Sequence, residues 1–111
     1  MLLLPKTASF KRIPTEYRLL QNYPNPFNPE TTIAFHLVED AFVEVTIYDI
    51  TGREVNKVLS GFRTAGVNTV RWNGRNAFGN AVASGIYLYR LRASKGNNII
   101  FQTMKKMTLI K

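Results

Sequence analysis

Few side chains in this 111-residue sequence could carry out covalent chemistry. Cysteine is absent and His36 is the single histidine, so a Ser–His–Asp triad would depend entirely on that residue. A zinc site would have one nitrogen ligand and otherwise only carboxylates. Without cysteine there are also no disulfides and no thiolate ligands. This inventory predicts a protein that is not an enzyme and that uses no metal or other cofactor.

Three asparagines lie in a glycine-rich segment, residues 73–85, where their carbonyl oxygens could bind calcium. Asn73, Asn76 and Asn80 have no carboxylate among them, so the segment lacks the negative charge that holds a divalent cation. Asparagine and glycine also favour turns. We therefore expect a long ordered loop rather than a metal site.

Aromatic residues near the carboxyl end could form a platform for a sugar or a base. Tyr87 and Tyr89 alternate along one predicted strand, and Phe101 follows across a hairpin. Aromatic side chains can stack on bases, but aromatics that share a face of neighbouring strands more often pack against each other. We favour packing for these three residues.

The last seven residues, KKMTLIK, alternate apolar and polar side chains between lysines. In an extended conformation this tail could give main-chain hydrogen bonds to the edge of another sheet, with Met107 and Leu109 providing specificity. It could equally be a final strand whose lysines suppress aggregation. The residues alone leave both interpretations open.

The net charge of +8 is concentrated in the second half of the chain. Residues 61–111 hold nine basic side chains and no acidic one. Such a charge could attract nucleic acid, lipopolysaccharide or an acidic protein groove. The basic residues are dispersed, however, and only Lys105 and Lys106 are adjacent. We therefore predict solvent-facing charges and no nucleic-acid binding.

Proline and glycine divide the chain into two regions. All five prolines lie in the first 29 residues, and all seven glycines lie at or after Gly52. Residues 1–18 show no periodicity and are predicted to be a linker or disordered lead-in, with the folded domain over residues 19–111. Residues 23–29, here called the proline strap, can form neither a helix nor a central strand. We expect the strap to pack on a sheet through Tyr23 and Phe27 and to shield a sheet edge.

The region after the strap has the two-residue alternation of half-buried β-strands. Ile33, Phe35 and Leu37 are predicted to face the core, with His36 outward, and Val43, Val45 and Ile47 repeat the pattern. A short strand follows from Arg53 to Leu59. Two later strands contain Trp72 and Tyr89, and the last strand runs from Ile99 to about Ile110. No apolar run approaches the roughly 18 residues of a membrane helix. The pattern predicts an all-β protein, an antiparallel β-sandwich of six or seven strands without a transmembrane segment.

Several motifs occur in a fixed order along the chain. They are LQNYPNPFNP at 20–29, IYD at 47–49 with GR at 52–53, WNG at 72–74, ASGIYLYRL at 83–91, and a terminal group formed by Lys106, Met107, Leu109 and Lys111. Together they resemble the C-terminal sorting domain, type A, of the type IX secretion system, from about Leu19 to Lys111. That family is similar to the immunoglobulin-like module of flagellar hook-capping proteins. The resemblance implies that the sandwich is immunoglobulin-like.

The resemblance also implies a function. Members of the family direct a passenger protein, fused at the amino terminus, through the periplasm and across the outer membrane of Gram-negative bacteria, to be secreted or held at the cell surface. The implied partners are an outer-membrane translocon and a sortase-like processing enzyme. The implied recognition residues are those of the terminal group, Lys106, Met107, Leu109 and Lys111. The 111 residues include neither a signal peptide nor a passenger, so we expect this chain to act as part of a longer precursor.

Two other functions stay open. An immunoglobulin-like sandwich could be a structural assembly module of the hook-capping kind, or a carbohydrate-binding module. Asn73 and Asn76 stand where the sorting family often has aspartate, which argues further against a metal.

Overall fold

The computed structural model describes residues 13–111 as seven β-strands in two antiparallel sheets. The strands are β1 (Arg18–Leu19), β2 (Thr31–Leu37), β3 (Ala41–Asp49), β4 (Glu54–Arg63), β5 (Gly66–Trp72), β6 (Gly85–Lys95) and β7 (Asn98–Leu109). One sheet has the order β1-β2-β5 and the other β4-β3-β6-β7. No helix occurs within residues 13–111, so none there could cross a membrane. The predicted antiparallel β-sandwich is confirmed.

The core lies between the two sheets and is filled by every second side chain of the central strands. β2 and β3 bury the residues that the alternation predicted, and His36 lies half-buried on the opposite face of β2. The indole of Trp72 is the largest fully buried side chain. The remaining core residues of the sheets include Tyr87, Tyr89, Leu91 and Ala93 from β6 and Met107 and Leu109 from β7.

One residue on the outer face of β3 is more buried than the half-buried pattern predicted. Thr46 has no exposed surface although it alternates with core residues. β3 is a central strand, and the cross-strand neighbours of Thr46 are Lys57 on β4 and Arg90 on β6. Long basic side chains cover neighbouring surface with their aliphatic stems. This explains why the position is buried.

β4 is longer than predicted, since it continues past Leu59 to Arg63. Gly61, two residues beyond the predicted end, pairs with Val43 within the ladder. Cross-strand pairing with β3 therefore overrides the weak intrinsic preference of glycine for strands.

A turn formed around the Asp49 side chain follows β3. The Asp49 carboxylate accepts hydrogen bonds from the N–H groups of Thr51 and Arg53 at 2.9 and 3.0 Å and from the Thr51 hydroxyl at 2.6 Å. The Thr51 hydroxyl, followed by the Arg53 N–H, holds the pKa of Asp49 below its usual range. Gly52 adopts a φ of +89°, a conformation that glycine favours.

The predicted lead-in lies partly outside the described residues, which begin at Ile13. Within the described part, Tyr17 stacks on Phe101 with 5.2 Å between ring centroids, and its hydroxyl donates to Glu39 at 2.8 Å. β1 begins at the next residue. The boundary between a lead-in over residues 1–18 and a domain over 19–111 stays a prediction.

Candidate functional site at the C-terminal strand

The proline strap lies along the outer edge of β7 near the carboxyl terminus. Phe27 forms a parallel bridge with Leu109: the Phe27 N–H donates to the Thr108 carbonyl at 3.0 Å, and the Ile110 N–H donates to the Phe27 carbonyl at 2.9 Å. The Asn25 side chain accepts a hydrogen bond from the Thr108 N–H at 3.0 Å. Three hydrogen bonds thus cover this part of the edge, as expected for a strap that shields it. Phe27 is 1% exposed and packs on the core as predicted, but Tyr23 is 81% exposed, so the prediction that Tyr23 also packs on the sheet is wrong.

A buried polar cluster fixes the start of the strap. The side-chain amide of Asn22 donates to the Thr31 hydroxyl at 3.0 Å and to the Pro24 carbonyl at 3.1 Å. The Thr31 hydroxyl donates to the same carbonyl at 2.8 Å. The Tyr89 hydroxyl accepts a hydrogen bond from the backbone N–H of Asn22 at 2.9 Å and donates one to the Leu20 carbonyl at 2.7 Å. Burial raises the pKa of Tyr89 to about 12. Because these buried groups are mutually hydrogen-bonded, the strap is held in one position on the core.

Beneath the strap lies a cluster of three aromatic rings. The ring of Phe27 is 5.6 Å from that of Trp72, which is 5.4 Å from that of Tyr87, and both pairs have the inclined geometry that aromatic rings prefer. The indole N–H of Trp72 donates to the Arg75 carbonyl at 2.8 Å, and the Tyr87 hydroxyl donates to the Ala83 carbonyl at 2.6 Å. Burial, with a smaller effect of the Asp49 charge, raises the pKa of Tyr87.

The hypothesis of an aromatic platform is wrong for the three residues that suggested it. Tyr87 is 7% exposed and Tyr89 is 0% exposed, because both lie on the inner face of β6. Phe101 is half-buried and stacks on Tyr17. The favoured interpretation, that the three rings pack against other parts of the protein, agrees with their burial.

The terminal group divides into two buried and two exposed residues. Met107 and Leu109 are each 1% exposed and pair with Tyr87 and Gly85 on β6. Lys106 and Lys111 are exposed. Of the two interpretations of the tail, the final strand is therefore the one observed. Met107 and Leu109 could enter another sheet only if the end of β7 left the core.

The turn at Asn73 and Gly74 lies under both the strap and the tail. Gly74 has a φ of +75°, and a Cβ atom there would lie 3.0 Å from the Pro29 carbonyl oxygen and 3.8 Å from a methyl carbon of Leu109. A side chain would therefore meet both an unfavourable backbone conformation and the strap backbone. Glycine allows the turn, the strap and the last strand to meet closely.

The asparagine-rich loop uses its side chains to form turns. The Asn76 side-chain oxygen accepts hydrogen bonds from the N–H groups of Phe78 and Asn80, each at 3.0 Å, and that of Asn73 accepts from Arg75 at 3.2 Å. This agrees with the predicted ordered loop. Within residues 13–111, no group of three or more His, Cys, Asp or Glu side chains could hold a metal ion.

Sequence reasoning missed the contact between the strap and the tail. It predicted that the strap would shield an edge, but it did not identify the end of β7 as that edge. Asn25 and Thr108 are 83 residues apart, and no local pattern of residue types records a contact over that distance. The only available signal was the occurrence of both segments among the motifs of one family.

The sequence profile of the FlgD Ig-like domain matches residues 25–97 of this chain. The match covers more than half of the chain, so the chain belongs to this family and its sandwich is immunoglobulin-like. β7 lies beyond the matched residues. No curated protein sequence matches the chain.

Three of the solved structures that this chain resembles come from two bacteria. The dimeric latent form of PorU from Porphyromonas gingivalis is 26% identical with a TM-score of 0.69, over 86% of this chain and 10% of PorU. PorZ from the same organism, described as an essential bacterial surface component of the type-IX secretion system, is 27% identical with a TM-score of 0.53, over 86% of this chain and 11% of PorZ. FlgD from P. aeruginosa, 22% identical with a TM-score of 0.62 over 71% of this chain and 60% of FlgD, is similar in fold. The chain thus spans about a tenth of PorU and PorZ.

Proposed function

We propose that this chain is a non-catalytic sorting and anchoring module that directs a passenger protein through type IX secretion across the outer membrane. The observation that carries the proposal is the convergence of the motif segments around the last strand. The strap covers the end of β7, the turn at Gly74 lies beneath both, Tyr87 of β6 pairs with Met107, and Asp49 pairs with Tyr87 on the other side. The similarity to PorU and PorZ supports the same role.

In the proposed mechanism, the export apparatus captures a folded module that ends in an ordered strand. Met107 and Leu109 hold that strand in the sandwich, because both side chains are buried. Lys106 on that strand and Lys111, two residues beyond its end, are exposed and are the residues that a receptor would contact. The partners are an outer-membrane translocon and a sortase-like processing enzyme. The passenger, fused at the amino terminus of a longer precursor, is secreted or held at the cell surface.

The alternative is a structural assembly module of the hook-capping kind, which family membership also favours. The two functions make different demands on the end of the chain. A sorting module requires the exposed lysines of the terminal group, whereas an assembly module should tolerate their replacement.

The test is an export assay in a bacterium with a working type IX system. A signal peptide and a reporter are fused to the amino terminus of the complete chain, and Lys106→Ser is combined with Lys111→Ser. The matched control combines Lys57→Ser with Lys95→Ser, which removes the same charge elsewhere. Lys57 and Lys95 each form one surface ion pair, with Glu44 and Glu39 at 3.0 Å. Such pairs contribute at most about 1 kcal/mol, so all the variants should fold.

We expect the first variant to retain the reporter in the periplasm and the control to export it. Equal export of the two would exclude the terminal lysines as an address and favour the assembly module. Replacing lysines is a sharper test than deleting residues 106–111, because the deletion would also remove two core side chains.

A further inference from the structure

The outer edge of β7 is covered near the carboxyl terminus, and it is uncovered in the part of the strand that lies closer to the hairpin with β6. The strap binds both backbone groups facing outward at Thr108, and the Lys106 carbonyl accepts a hydrogen bond from the Gln21 side chain at 2.7 Å. Every second residue of an antiparallel strand turns its N–H and C=O to the same side, so Met104 and Gln102 also face outward. Within residues 13–111, no hydrogen bond reaches the backbone of these two residues or the N–H of Lys106.

This uncovered stretch has the geometry that a further strand requires. β7 is 12 residues long and contains neither proline nor glycine. Its pairing with β6 is regular from Phe101 to Leu109, and the register shift opposite Ala93 and Ser94 lies on the hairpin side of that stretch. A regular edge with unpaired N–H and C=O groups can accept an extended segment by β-augmentation.

The charge around the edge indicates which segment would fit. β6 and β7 contain five basic residues and no acidic one. Arg90, Arg92, Lys105 and Lys106 lie beside the uncovered stretch, and none of them forms an ion pair within the described part of the chain. Arg92 instead donates to the Gln102 side chain at 2.7 Å, and the buried Nε of Arg90 has no hydrogen-bond partner among residues 13–111. This positive charge favours an acidic strand and disfavours a second copy of the same edge.

We propose that the outer edge of β7 from Gln102 to Lys106, here called the open edge, binds an extended acidic segment of a partner protein as an additional strand. The unpaired backbone groups of the open edge supply the affinity. Carboxylates of the partner meet Lys106 and Arg92 on the outer face of the sheet and Lys105 on the other face. The proposal goes beyond the sorting role and does not rest on it, because it is tested on the purified chain without export.

The test uses amide hydrogen exchange of the complete, isotopically labelled chain, followed by NMR. The probe is an acetylated and amidated octapeptide of alternating glutamate and valine. We expect saturating peptide to slow exchange of the Gln102, Met104 and Lys106 amides by at least about fivefold, the effect of one added hydrogen bond of about 1 kcal/mol. A lysine–valine octapeptide should leave the three rates unchanged.

Two pairs of variants separate main-chain pairing from charge attraction. Met104→Pro removes the central N–H of the open edge and should weaken binding of the glutamate–valine peptide by at least about fivefold, whereas Met104→Ala should bind it as the parent does. Lys105→Glu combined with Lys106→Glu should reverse the preference towards the lysine–valine peptide. Unchanged exchange at the three amides, or equal binding by parent and charge-reversed chains, would overturn the proposal. Equal binding by Met104→Pro and Met104→Ala would do so as well.

Discussion

Tyr89 links the strap to the sandwich through a single hydroxyl group. That hydroxyl lies on the central strand β6 and bonds the backbone on both sides of Gln21, at Leu20 and Asn22. Asn22 is itself 2% exposed, so its N–H has little access to water. The sequence placed Tyr89 on one face of a predicted strand and favoured packing for its side chain. It could not identify these hydrogen bonds, because their partners are separated by 67 and 69 residues.

Tyr89→Phe should lower the free energy of unfolding by about 1–3 kcal/mol, because it leaves the buried Asn22 N–H without an acceptor. Tyr87→Phe is the matched control. It removes one hydrogen bond to the carbonyl of Ala83, an exposed residue where water can replace the hydroxyl, and should cost about 0.5–1.5 kcal/mol. Urea unfolding of the parent and the two variants measures both values. A loss for Tyr89→Phe no larger than that for Tyr87→Phe would show that the Asn22 N–H is not sequestered.

At the scale of elements, β7 has two dissimilar halves. Its carboxyl-terminal half places Met107 and Leu109 in the core beneath the strap, whereas the residues of its other half on the same face, Phe101, Thr103 and Lys105, are only half-buried. The sequence predicted the strand but not this division, because the apolar residues of the tail fit a buried strand and a docking peptide equally well. The buried strand is distinguished from the docking peptide only by the contacts of the tail with the strap and the aromatic cluster.

Met107→Ala and Leu109→Ala should each lower the free energy of unfolding by about 2–5 kcal/mol, the usual cost of emptying such a core position. Met104→Ala on the same strand should change it by less than about 0.5 kcal/mol, because Met104 lies on the outer face and is 46% exposed. Chemical denaturation of the three purified variants checks the difference. Similar values for all three would mean that the tail does not contribute to the core.

The limits of strands were harder to predict than their existence. Periodicity located β2 and β3, and the proline content located the strap, because backbone geometry and side-chain alternation are local properties. β4 exceeded its predicted end because pairing with β3 continues through Gly61. Thr46 is buried between two cross-strand neighbours, Lys57 on β4 and Arg90 on β6. Both features depend on which strands are adjacent in the sheet.

For the whole molecule, the class of fold could be predicted from the number and spacing of the strands in the sequence. The order of the strands within each sheet could not be predicted in this way. Strand order decides that β7 is an edge strand and that its end lies beside the strap. The convergence of the motif segments is a property of this topology. The topology brings together residues whose proximity cannot be predicted from composition or periodicity.

The stability of the whole domain should decrease at high pH. Burial raises the pKa of Tyr89 to about 12, and burial together with the hydrogen bond to Glu39 raises the pKa of Tyr17 to about 12, from 10.0 for both. The folded state therefore binds protons more tightly than the unfolded state, so this contribution is complete below pH 10 and is lost between about pH 10 and 12. The midpoint of thermal unfolding should fall over this interval. Tyr89→Phe should show a shallower fall, and an equal fall would contradict the assignment to Tyr89.

Amide hydrogen exchange in the free, complete chain tests most directly whether the strap holds the last strand. The Thr108 and Ile110 amides are bonded to Asn25 and Phe27, whereas the outward-facing amides of Gln102 and Met104 have no hydrogen-bond partner within residues 13–111. We expect Thr108 and Ile110 to exchange at least about a hundredfold more slowly than Gln102 and Met104, after correction for intrinsic rates. Equally fast exchange at all four positions would show that the strap does not hold the end of β7, and would contradict a sorting module that presents an ordered C-terminal strand.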